Sequence, residues 1–300
     1  MKIRGVLIED TFAEAFTMAA ARIVVTAVND RWARAAAVQL TGFATSVIAC
    51  KCEAAIEREL GPEETPDARP GIAMLVFAMN ADNLRKRLVE RIGQAVLTCP
   101  TTSCFDGLPD LADRVPAGRA LRVFGDRFQT STVIGGERYW RVPVLEGEFL
   151  LQESFGVQKK AVGGGNFLIL AEDAESALAA AEAAVAAIGG IRGVILPFPG
   201  GVARSGSKVG SRSYKSLVAS TNDAYCPTLR LTTDSALTEG VNSVLELVLD
   251  GLDAESIRHA MRAGIEAACR PGVRAITAGN YGGKLGKVHF HLRQIMSGVS

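Results

Sequence analysis

The chain has 300 residues, of which 48% are hydrophobic and 22% are charged, and its formal net charge is +1. This composition is typical of a globular protein rather than a disordered one, and the length is sufficient for two domains of ordinary size. A nucleic-acid-binding protein would be expected to carry an excess of basic residues. The near-neutral charge therefore predicts that nucleic acid is not a partner.

No segment of the sequence has the pattern of a membrane or secretory element. Residues 1–12 mix charged and apolar side chains and lack the apolar stretch of a signal peptide. The Ala-rich stretch 174–188 comes nearest to a membrane span, but Glu175 and Glu182 interrupt it. We therefore predict a cytoplasmic protein without a membrane partner, in which the six cysteines are free thiols.

The most informative feature is a block that recurs four times. Each copy has an apolar run, an Asn or Asp suited to capping a helix, a helical stretch, a Gly and a second apolar run, which together make a βαβ unit. The predicted first strands are 22–28, 72–79, 167–171 and 243–249, the predicted helices are 31–40, 81–92, 174–188 and 254–268, and the predicted second strands are 43–49, 95–98, 191–196 and 273–277.

Two βαβ units in tandem make a ferredoxin-like, split β-α-β fold with an antiparallel sheet and helices on one face. The sequence thus predicts an α+β protein of two ferredoxin-like lobes that arose by duplication, in residues 1–150 and 151–300. The first lobe is expected to include an all-β insertion, because residues 121–124, 139–144 and 149–151 resemble strands and Gly135-Gly136 suggests a hairpin turn. A second irregular segment, 197–240, is long enough to be functional.

Several motifs that would indicate other chemistry fail on inspection. The stretch Gly201–Lys208 does not place its lysine directly after a glycine, as a phosphate-binding loop requires. His289 and His291 share a face of a predicted strand but have no third ligand nearby, so an ordinary strand face is favoured and no metal site is predicted. Cys226 is the best candidate for a reactive thiol, although a free cysteine is more often a small buried hydrophobe.

Glu246 stands out because it lies in the predicted strand Val-Leu-Glu-Leu-Val-Leu, residues 244–249, which is apolar on both faces. Strands of that kind are usually buried. Burial raises the pKa of a carboxyl group, and a neutral carboxylic acid can donate a proton or a hydrogen bond. The alternative is an ion pair with an arginine, and Arg22 and Arg192 at other strand starts are possible partners.

Long motifs along nearly the whole chain then carry a family resemblance. They include 8–16 (IEDTFAEAF), 41–43 (TGF), 45–48 (TSVI), 62–67 (PEETPD), 163–167 (GGGNF), 197–201 (PFPGG), 220–228 (STNDAYCPT), 264–269 (GIEAAC), 278–280 (AGN) and 282–286 (GGKLG). On these segments the chain resembles the formylmethanofuran–tetrahydromethanopterin formyltransferase family.

The resemblance implies a transferase of two ferredoxin-like lobes without a prosthetic group. It would move a formyl group directly between formyl-tetrahydromethanopterin and methanofuran in a ternary complex, within one-carbon metabolism that oxidises formaldehyde to formate. The family's catalytic carboxylate falls on Glu246, shortly before Asp250-Gly251-Leu252. The near-neutral charge favours a bacterial, methylotroph-type member, which implies a homo-oligomeric core, a dimer or tetramer, within a formyltransferase/hydrolase complex.

We predict that loops following strand ends line the substrate cleft, because backbone N–H groups can approach a ligand there. Lys208 or Lys284 could meet carboxylates on the substrate tails. Two other functions stay open: a non-catalytic scaffold subunit of the complex, and a thiol-dependent acyltransferase that uses Cys226. The predicted substrate-binding residues are Phe198, Pro199, Gly200, Gly201, Lys208, Ser220, Thr221, Asn222, Asp223, Tyr225, Asn280, Gly282, Gly283 and Lys284.

Overall fold

The structure is a computed structural model that describes residues 1–298, in which the chain forms an α+β fold. The strands are β1 (Lys2–Ile3), β2 (Val6–Ile8), β3 (Phe12–Thr26), β4 (Glu53–Leu60), β5 (Gly71–Ala78), β6 (Ser103–Asp106), β7 (Arg114–Val115), β8 (Thr130–Ile134), β9 (Glu137–Val144), β10 (Gly147–Gln152), β11 (Phe155–Gly156), β12 (Gln158–Ala171), β13 (Val194–Ile195), β14 (Ser207–Val209), β15 (Ala219–Thr221), β16 (Ser243–Gly251), β17 (Val273–Thr277) and β18 (Val288–His291). The α-helices are α1 (Asp30–Thr41), α2 (Val47–Cys50), α3 (Ala81–Arg91), α4 (Ala117–Leu121), α5 (Ala174–Ile188), α6 (Ala254–Ala268) and α7 (Leu292–Ser297). Among residues 1–298, no helix is both long and apolar enough to cross a membrane.

The four long helices begin where the sequence predicts them. Asn29, Asn80, Asp173 and Asp253 are their N-caps, and each side chain accepts a hydrogen bond from the backbone N–H three residues later, at 2.7–3.2 Å. Such caps satisfy N–H groups that have no partner within the helix. The helix starts predicted from the repeated block are therefore confirmed.

The chain divides into two compact units. Unit 1 combines residues 1–17 with the chain from Val162 onwards, and unit 2 comprises Met18–Ala161. The first 17 residues thus group with the second half of the chain, since β2 pairs with β17 and the start of β3 pairs with β18. The division into lobes 1–150 and 151–300 stays a prediction.

Unit 1 contains a sheet in the order β1-β2-β17-β12-β16-β13. The pairs formed by β12, β13, β16 and β17 are antiparallel, and β2 adds in parallel beside β17. Helices α5 and α6 cover one face, where Phe167, Ile169, Leu247 and Leu249 join them in one apolar core. The opposite face carries a smaller cluster that includes Leu168, Leu170 and Val244.

Unit 2 has a comparable sheet in the order β4-β5-β3-β6, extended by β10, β9 and β8. The first four strands pair antiparallel, whereas β10 lies parallel to β6. Helices α1 and α3 contribute Ala36, Leu84 and Leu88 to the core beneath the sheet, opposite Ile23 and Met74. In both units, the sheet places the strands of the two βαβ blocks side by side in the same relative order.

Several predicted second strands are wrong. Residues 43–49 include helix α2, because Ser46 caps a helical turn at its start. Residues 95–98 continue α3 through a π-helical turn at Ile92–Val96, and the strand follows at Ser103. In 191–196, only Val194–Ile195 is a strand, whereas the predicted strand 273–277 is confirmed.

The insertion also differs from the prediction in one element. The hairpin at Gly135-Gly136 is confirmed, because both residues have positive φ, 61° and 85°, between β8 and β9. Residues 121–124, however, lie at the end of α4 and in the 3-10 turn Arg122–Gly125. The short apolar run Leu-Arg-Val-Phe fits a helical turn as readily as a strand, since periodicity alone does not separate the two at this length.

Small residues let α5 and α6 approach each other closely in unit 1. The side chains of Ala180, Ala181, Ala184 and Ala260 are fully buried between the helices and the sheet. At Gly264 on α6, a Cβ atom would lie 2.7 Å from Ile188 Cδ1 and 3.1 Å from Phe167 Cζ. The glycine therefore sets the distance at which the two helices cover the sheet.

We predict that Gly264→Val destabilises the protein by about 2 kcal/mol, because added methyl groups force the core apart. That loss corresponds to a fall in Tm of roughly 4–8 °C. Ala186→Val, at an exposed site on α5, is the matched control and should cost less than about 1 kcal/mol. Equal melting temperatures for the two variants, measured by circular dichroism, would contradict the packing role.

Candidate functional site

Glu246 lies in the middle of the unit 1 sheet. Its strand, β16, pairs with β12 so that Glu246 is opposite Leu168. On the other side, the backbone N–H and C=O of Glu246 both bond to Ala203, at 3.0 and 2.8 Å. Because side chains alternate along a strand, Leu245 and Leu247 face the helices, and Glu246 projects from the opposite face.

On that face, Glu246 opens into a polar cavity of about 270 Å³, here called the Glu246 cavity. The other residues around it come from β12, the loop after β17, the 197–240 segment and the start of the chain. They are Glu9, Thr11, Asn166, Leu168, Ser207, Lys208, Asn222, Tyr225, Thr277, Ala278, Gly279, Asn280 and Tyr281. Most of these side chains or exposed backbone groups can form hydrogen bonds, as a site for a polar substrate requires.

Burial raises the pKa of the Glu246 carboxyl to about 7. Within residues 1–298, no side chain or backbone group forms a hydrogen bond or ion pair with this carboxyl, so nothing offsets its loss of hydration. The alternative of an ion pair with an arginine is not found there. Arg22 instead pairs with Glu57 inside unit 2, through bonds of 2.6 and 2.7 Å.

Glu246 is thus a carboxyl group that exchanges its proton near neutral pH while facing a cavity. That combination suits general acid–base chemistry, in which the acid's pKa lies near the working pH. A glutamate at an ordinary pKa would be ionised at pH 7 and could only accept hydrogen bonds. The buried position of Glu246 on the sheet therefore determines whether its carboxyl can donate a proton at neutral pH.

Some of the predicted site residues meet in this cavity. Lys208, Asn222, Tyr225 and Asn280 line it together with Glu246. Asp223 lies directly behind it, where the carboxylate pairs with Lys208 and, at 2.8 Å, with Arg212. The hydrogen bond from Lys208 and the positive charges lower the pKa of Asp223. The ammonium of Lys208 is therefore held in place and partly neutralised.

The remaining predicted residues lie outside the lining of the Glu246 cavity. Gly201 packs against α5, where a Cβ atom would come within 2.8 Å of Val185. Gly283 donates its N–H to Glu14 at 2.9 Å, so that donor is already used within the protein. Their role in binding stays a prediction. The residues in this group are Phe198, Pro199, Gly200, Gly201, Ser220, Thr221, Gly282, Gly283 and Lys284.

A second, smaller cavity of about 140 Å³ adjoins the first and shares Leu168, Asn222, Tyr225 and Glu246 with it. Its other wall contains Arg204, Ser205, Gly206, Cys226 and Thr228 among its members. Glu246, Asn222 and Tyr225 therefore border both spaces.

Cys226 does not have the surroundings of a nucleophile. Its thiol donates to the carbonyl of Asn222 at 3.3 Å. Burial, and next the charge of Asp223, raise the pKa of the thiol. Since the thiolate is the reactive form, Cys226 is held in the unreactive one.

His289 and His291 lie on a strand face, as the sequence predicts. His289 and His291 are exposed on β18, with ring centres 6.5 Å apart, and Phe12 lies against both rings. His259 is exposed on α6. Among residues 1–298, no group of three or more His, Cys, Asp or Glu side chains could hold a metal ion.

Unit 2 holds a larger cavity of about 620 Å³, but its lining is mostly apolar. Leu97, Pro100, Phe124 and Leu145 contribute to it, and among the described residues Glu146 is the only carboxylate in its wall. A wall of this kind offers little to orient a polar reacting group. The Glu246 cavity is therefore the better candidate site in spite of its smaller volume.

Sequence reasoning missed Glu14, Asn166 and Tyr281. Glu14 is fully buried on β3 between Ala13 and Ala15, so the argument that identified Glu246, a carboxyl in an apolar strand, applies to it equally. Asn166 carries no comparable signal, since its bonds to Gly279 join residues 113 positions apart. Tyr281 belongs to a Gly-rich loop in which the sequence emphasises the neighbouring glycines.

The fold and the Glu246 cavity define an α+β protein equipped for acid–base chemistry on a polar substrate. Comparisons with known proteins identify a family within this class. The family described as formylmethanofuran-tetrahydromethanopterin formyltransferase matches residues 1–144, and the family described as FTR, proximal lobe, matches residues 147–295. The chain therefore belongs to the formylmethanofuran–tetrahydromethanopterin formyltransferase family, as the motif resemblance indicates.

Individual relatives agree over their full lengths. The chain is 60% identical to a formylmethanofuran–tetrahydromethanopterin formyltransferase of Methylococcus capsulatus, over 99% of this chain and 100% of that one. It is similar to the solved structure of the Methanosarcina barkeri formyltransferase, with a TM-score of 0.92, 48% identity and coverage of 98% and 100%. It also matches a chain of the formyltransferase/hydrolase complex from Methylorubrum extorquens with methylofuran, with a TM-score of 0.95, 47% identity and coverage of 99% and 98%.

We predict that Glu246→Gln stabilises the protein above neutral pH. The folded pKa of about 7 exceeds the ordinary value of 4.5, so the folded state binds more protons and loses stability as pH rises from 4.5 through 7. Glutamine removes this loss, which amounts to about 1–3 kcal/mol at pH 8. Urea unfolding at pH 5 and pH 8 measures it. A variant no more stable than the wild type at pH 8 would contradict the assigned burial.

Proposed function

We propose that this chain transfers a formyl group between tetrahydromethanopterin and methanofuran, with Glu246 as the acid. Family membership and the names of the relatives support the substrates. The observation that carries the chemical role is the Glu246 carboxyl, which has a pKa of about 7 and faces the polar cavity. The assignment makes the chain an acyltransferase of one-carbon metabolism.

The proposed reaction needs no covalent intermediate with the protein. The amine of one substrate attacks the formamide carbon of the other, a C–N bond forms, and the carbonyl electron pair moves to oxygen. Protonated Glu246 donates a hydrogen bond to that oxyanion or passes a proton to the leaving nitrogen, and it regains one from the attacking nitrogen. The old C–N bond then breaks, so the net change is one formyl group exchanged for one proton.

Two adjoining cavities that share Glu246 support direct transfer in a ternary complex. In this proposal each substrate occupies one of the two cavities, and Glu246 is a wall residue of both. Holding both reactants at one carboxyl supplies much of the catalysis, since proximity replaces a bimolecular encounter. We propose Lys208, Asn222, Tyr225 and Asn280 as the substrate-binding residues within this arrangement.

The other predicted binding residues form an outer group in this proposal. Lys284 is exposed in the loop that follows β17 and can meet a carboxylate on a substrate tail. Lys208 can do so only while Asp223 shares its charge. The segment with Phe198, Gly200 and Gly201, and the hairpin with Ser220 and Thr221, shape the walls behind the direct contacts.

We also propose that the two units are ferredoxin-like lobes related by duplication, with a mixed insertion of strands β8–β10 and helix α4 in unit 2. The matching orders β17-β12-β16-β13 and β6-β3-β5-β4 support this, because each is the antiparallel order of a split β-α-β fold. The similarity to a chain of a formyltransferase/hydrolase complex supports assembly with other subunits. A homo-oligomeric core is part of the same proposal. The cytoplasm is the proposed compartment.

A non-catalytic scaffold remains the alternative function. A scaffold has no use for an unpaired, half-buried carboxyl, which costs stability above neutral pH. The raised pKa of Glu246 therefore favours catalysis over a purely structural role.

We predict that the purified chain converts formyl-tetrahydromethanopterin and methanofuran to formylmethanofuran, and that Glu246→Gln lowers kcat at least 100-fold, in the range typical of lost acid–base catalysis. Because protonated Glu246 is the active form, kcat should fall as pH rises through about 7. Glu255→Gln, an exposed change on α6, is the control. A scaffold would show no transfer in the wild type, and near-normal turnover in Glu246→Gln would exclude the acid.

We predict that Cys226→Ser retains turnover within about fivefold, because serine can keep the hydrogen bond to the Asn222 carbonyl. Initial rates at varied concentrations of both substrates should give intersecting lines, the pattern of a ternary complex. Parallel lines, with a loss of turnover above about 1000-fold, would instead identify a thiol nucleophile. Alkylation of the Cys226 thiol in the wild type provides an independent test of whether turnover needs that thiol.

A further inference from the structure

The loop between β17 and β18 closes around a buried carboxylate. Glu14 on β3 is 1% exposed. Its Oε2 accepts the backbone N–H groups of Tyr281 and Gly283 at 2.7 and 2.9 Å, and its Oε1 accepts those of Leu285 and Gly286 at 2.5 and 2.6 Å. Burial opposes its ionisation, but the four N–H bonds prevail and lower the pKa of Glu14.

Convergent backbone N–H groups of this kind form a nest that holds an anion. Here the chain supplies the anion itself. Gly282 and Gly283 have φ of 70° and 72°, the left-handed conformation that turns successive N–H groups to one side. At Gly286, a Cβ atom would lie 2.4 Å from the Ala15 carbonyl, so the loop is drawn tightly onto β3.

Two amide side chains hold the start of the same loop. Asn166 accepts the Gly279 N–H at 2.6 Å and donates to the Gly279 carbonyl at 3.1 Å. Asn280 donates to Thr11 Oγ1 and the Phe12 carbonyl, both at 3.2 Å, while its own oxygen accepts the Gly282 N–H. The backbone on both sides of Tyr281 is therefore fixed.

The loop contributes Gly279, Asn280 and Tyr281 to the lining of the Glu246 cavity, and Tyr281 is 36% exposed. Burial, followed by the negative charges of Glu246 and Glu14, raises the pKa of its phenol, so the hydroxyl is a proton-bearing donor at neutral pH. Within residues 1–298, the hydroxyl makes no hydrogen bond to the protein. It is available to a ligand.

We propose that Glu14 is a positioning residue that aims the Tyr281 hydroxyl at the formyl oxygen of the substrate bound beside Glu246. The inference rests on the proposed function and adds a second hydrogen-bond donor to it. Tyr281 forms no covalent bond with the substrate in this proposal. Its hydrogen bond strengthens as negative charge develops on the oxygen, which selectively stabilises the tetrahedral state.

The test is a double-mutant cycle in formyl transfer. Tyr281→Phe should lower kcat about 10-fold to 100-fold with KM changed less than about threefold, because the bond matters chiefly in the transition state. Glu14→Gln keeps the side chain's shape but turns an NH₂ group against two of the N–H donors, and kcat should fall similarly. In the double variant, the second substitution should add less than about threefold, because Glu14 acts through Tyr281.

If the losses of kcat in the two single variants multiply in full in the double variant, Glu14 only supports the fold and the inference is overturned. An unchanged kcat in Tyr281→Phe, a variant that leaves the loop bonds intact and serves if Glu14→Gln does not fold, would overturn it as well. Glu266→Gln, an exposed change on α6, is the control for loss of a negative charge in unit 1. Its kinetics should match the wild type.

A readout independent of activity separates this inference from the proposed function. The ultraviolet titration of Tyr281, taken as the difference between wild type and Tyr281→Phe, should shift to a lower pKa in Glu14→Gln. Trypsin should also cut faster after Lys284 and Lys287, which lie in and beside the loop. If the wild type transfers no formyl group, the proposed function fails. An unchanged titration and unchanged cleavage overturn the positioning role.

Discussion

The candidate site depends on the fact that only one face of the unit 1 sheet is covered by helices. Helices α5 and α6 pack closely over Phe167, Ile169, Leu247 and Leu249. The alternation of side chains along β16 then sends Glu246 to the other face, where the 197–240 segment and the loop after β17 border the cavity that it faces. Loops can enclose a carboxyl without filling the space in front of it. The result is a group that has lost water but keeps access to a cavity.

Two glutamates in apolar strands of unit 1 have pKa values that are shifted in opposite directions. Glu14 is surrounded by four backbone donors, which favour its charged form. Glu246 has none, and its pKa rises to about 7. Burial alone therefore does not determine the charge of a carboxyl group; the number of N–H donors that converge on it does. The ionised residue holds a loop, whereas Glu246 keeps a carboxyl that can carry a proton near pH 7.

Much of the fold could be predicted because its signals are local. The caps Asn29, Asn80, Asp173 and Asp253 mark helix starts within three residues of sequence, and Glu246 is conspicuous in an apolar strand. The elements that were predicted wrongly lack such local signals. The turn at Val47–Cys50 and the π-helical turn at Ile92–Val96 are short apolar runs whose conformation is decided by packing.

The cavity walls were harder to predict for a related reason. The loop glycines suggested free backbone donors for a ligand, but the Gly283 N–H is occupied by Glu14, 269 positions away. Asn166 and Tyr281 likewise acquire their roles from distant partners. Sequence spacing identifies which side chain is unusual in its own strand. It does not reveal which backbone N–H groups are already bonded to a distant segment of the protein and so are not free for a ligand.

The grouping of the first 17 residues with the second half of the chain has a consequence for synthesis on the ribosome. Unit 2 is a continuous stretch, Met18–Ala161, so all its contacts exist once that stretch has emerged, and it can fold while the rest is being made. The start of β3, which carries Glu14, must wait for β18 to be translated, and β2 must wait for β17. Closing contacts over more than 260 residues is slow. Unit 1, which contains the Glu246 cavity, is therefore the last part to form, and a prematurely ended chain would have a folded unit 2 but no complete Glu246 cavity.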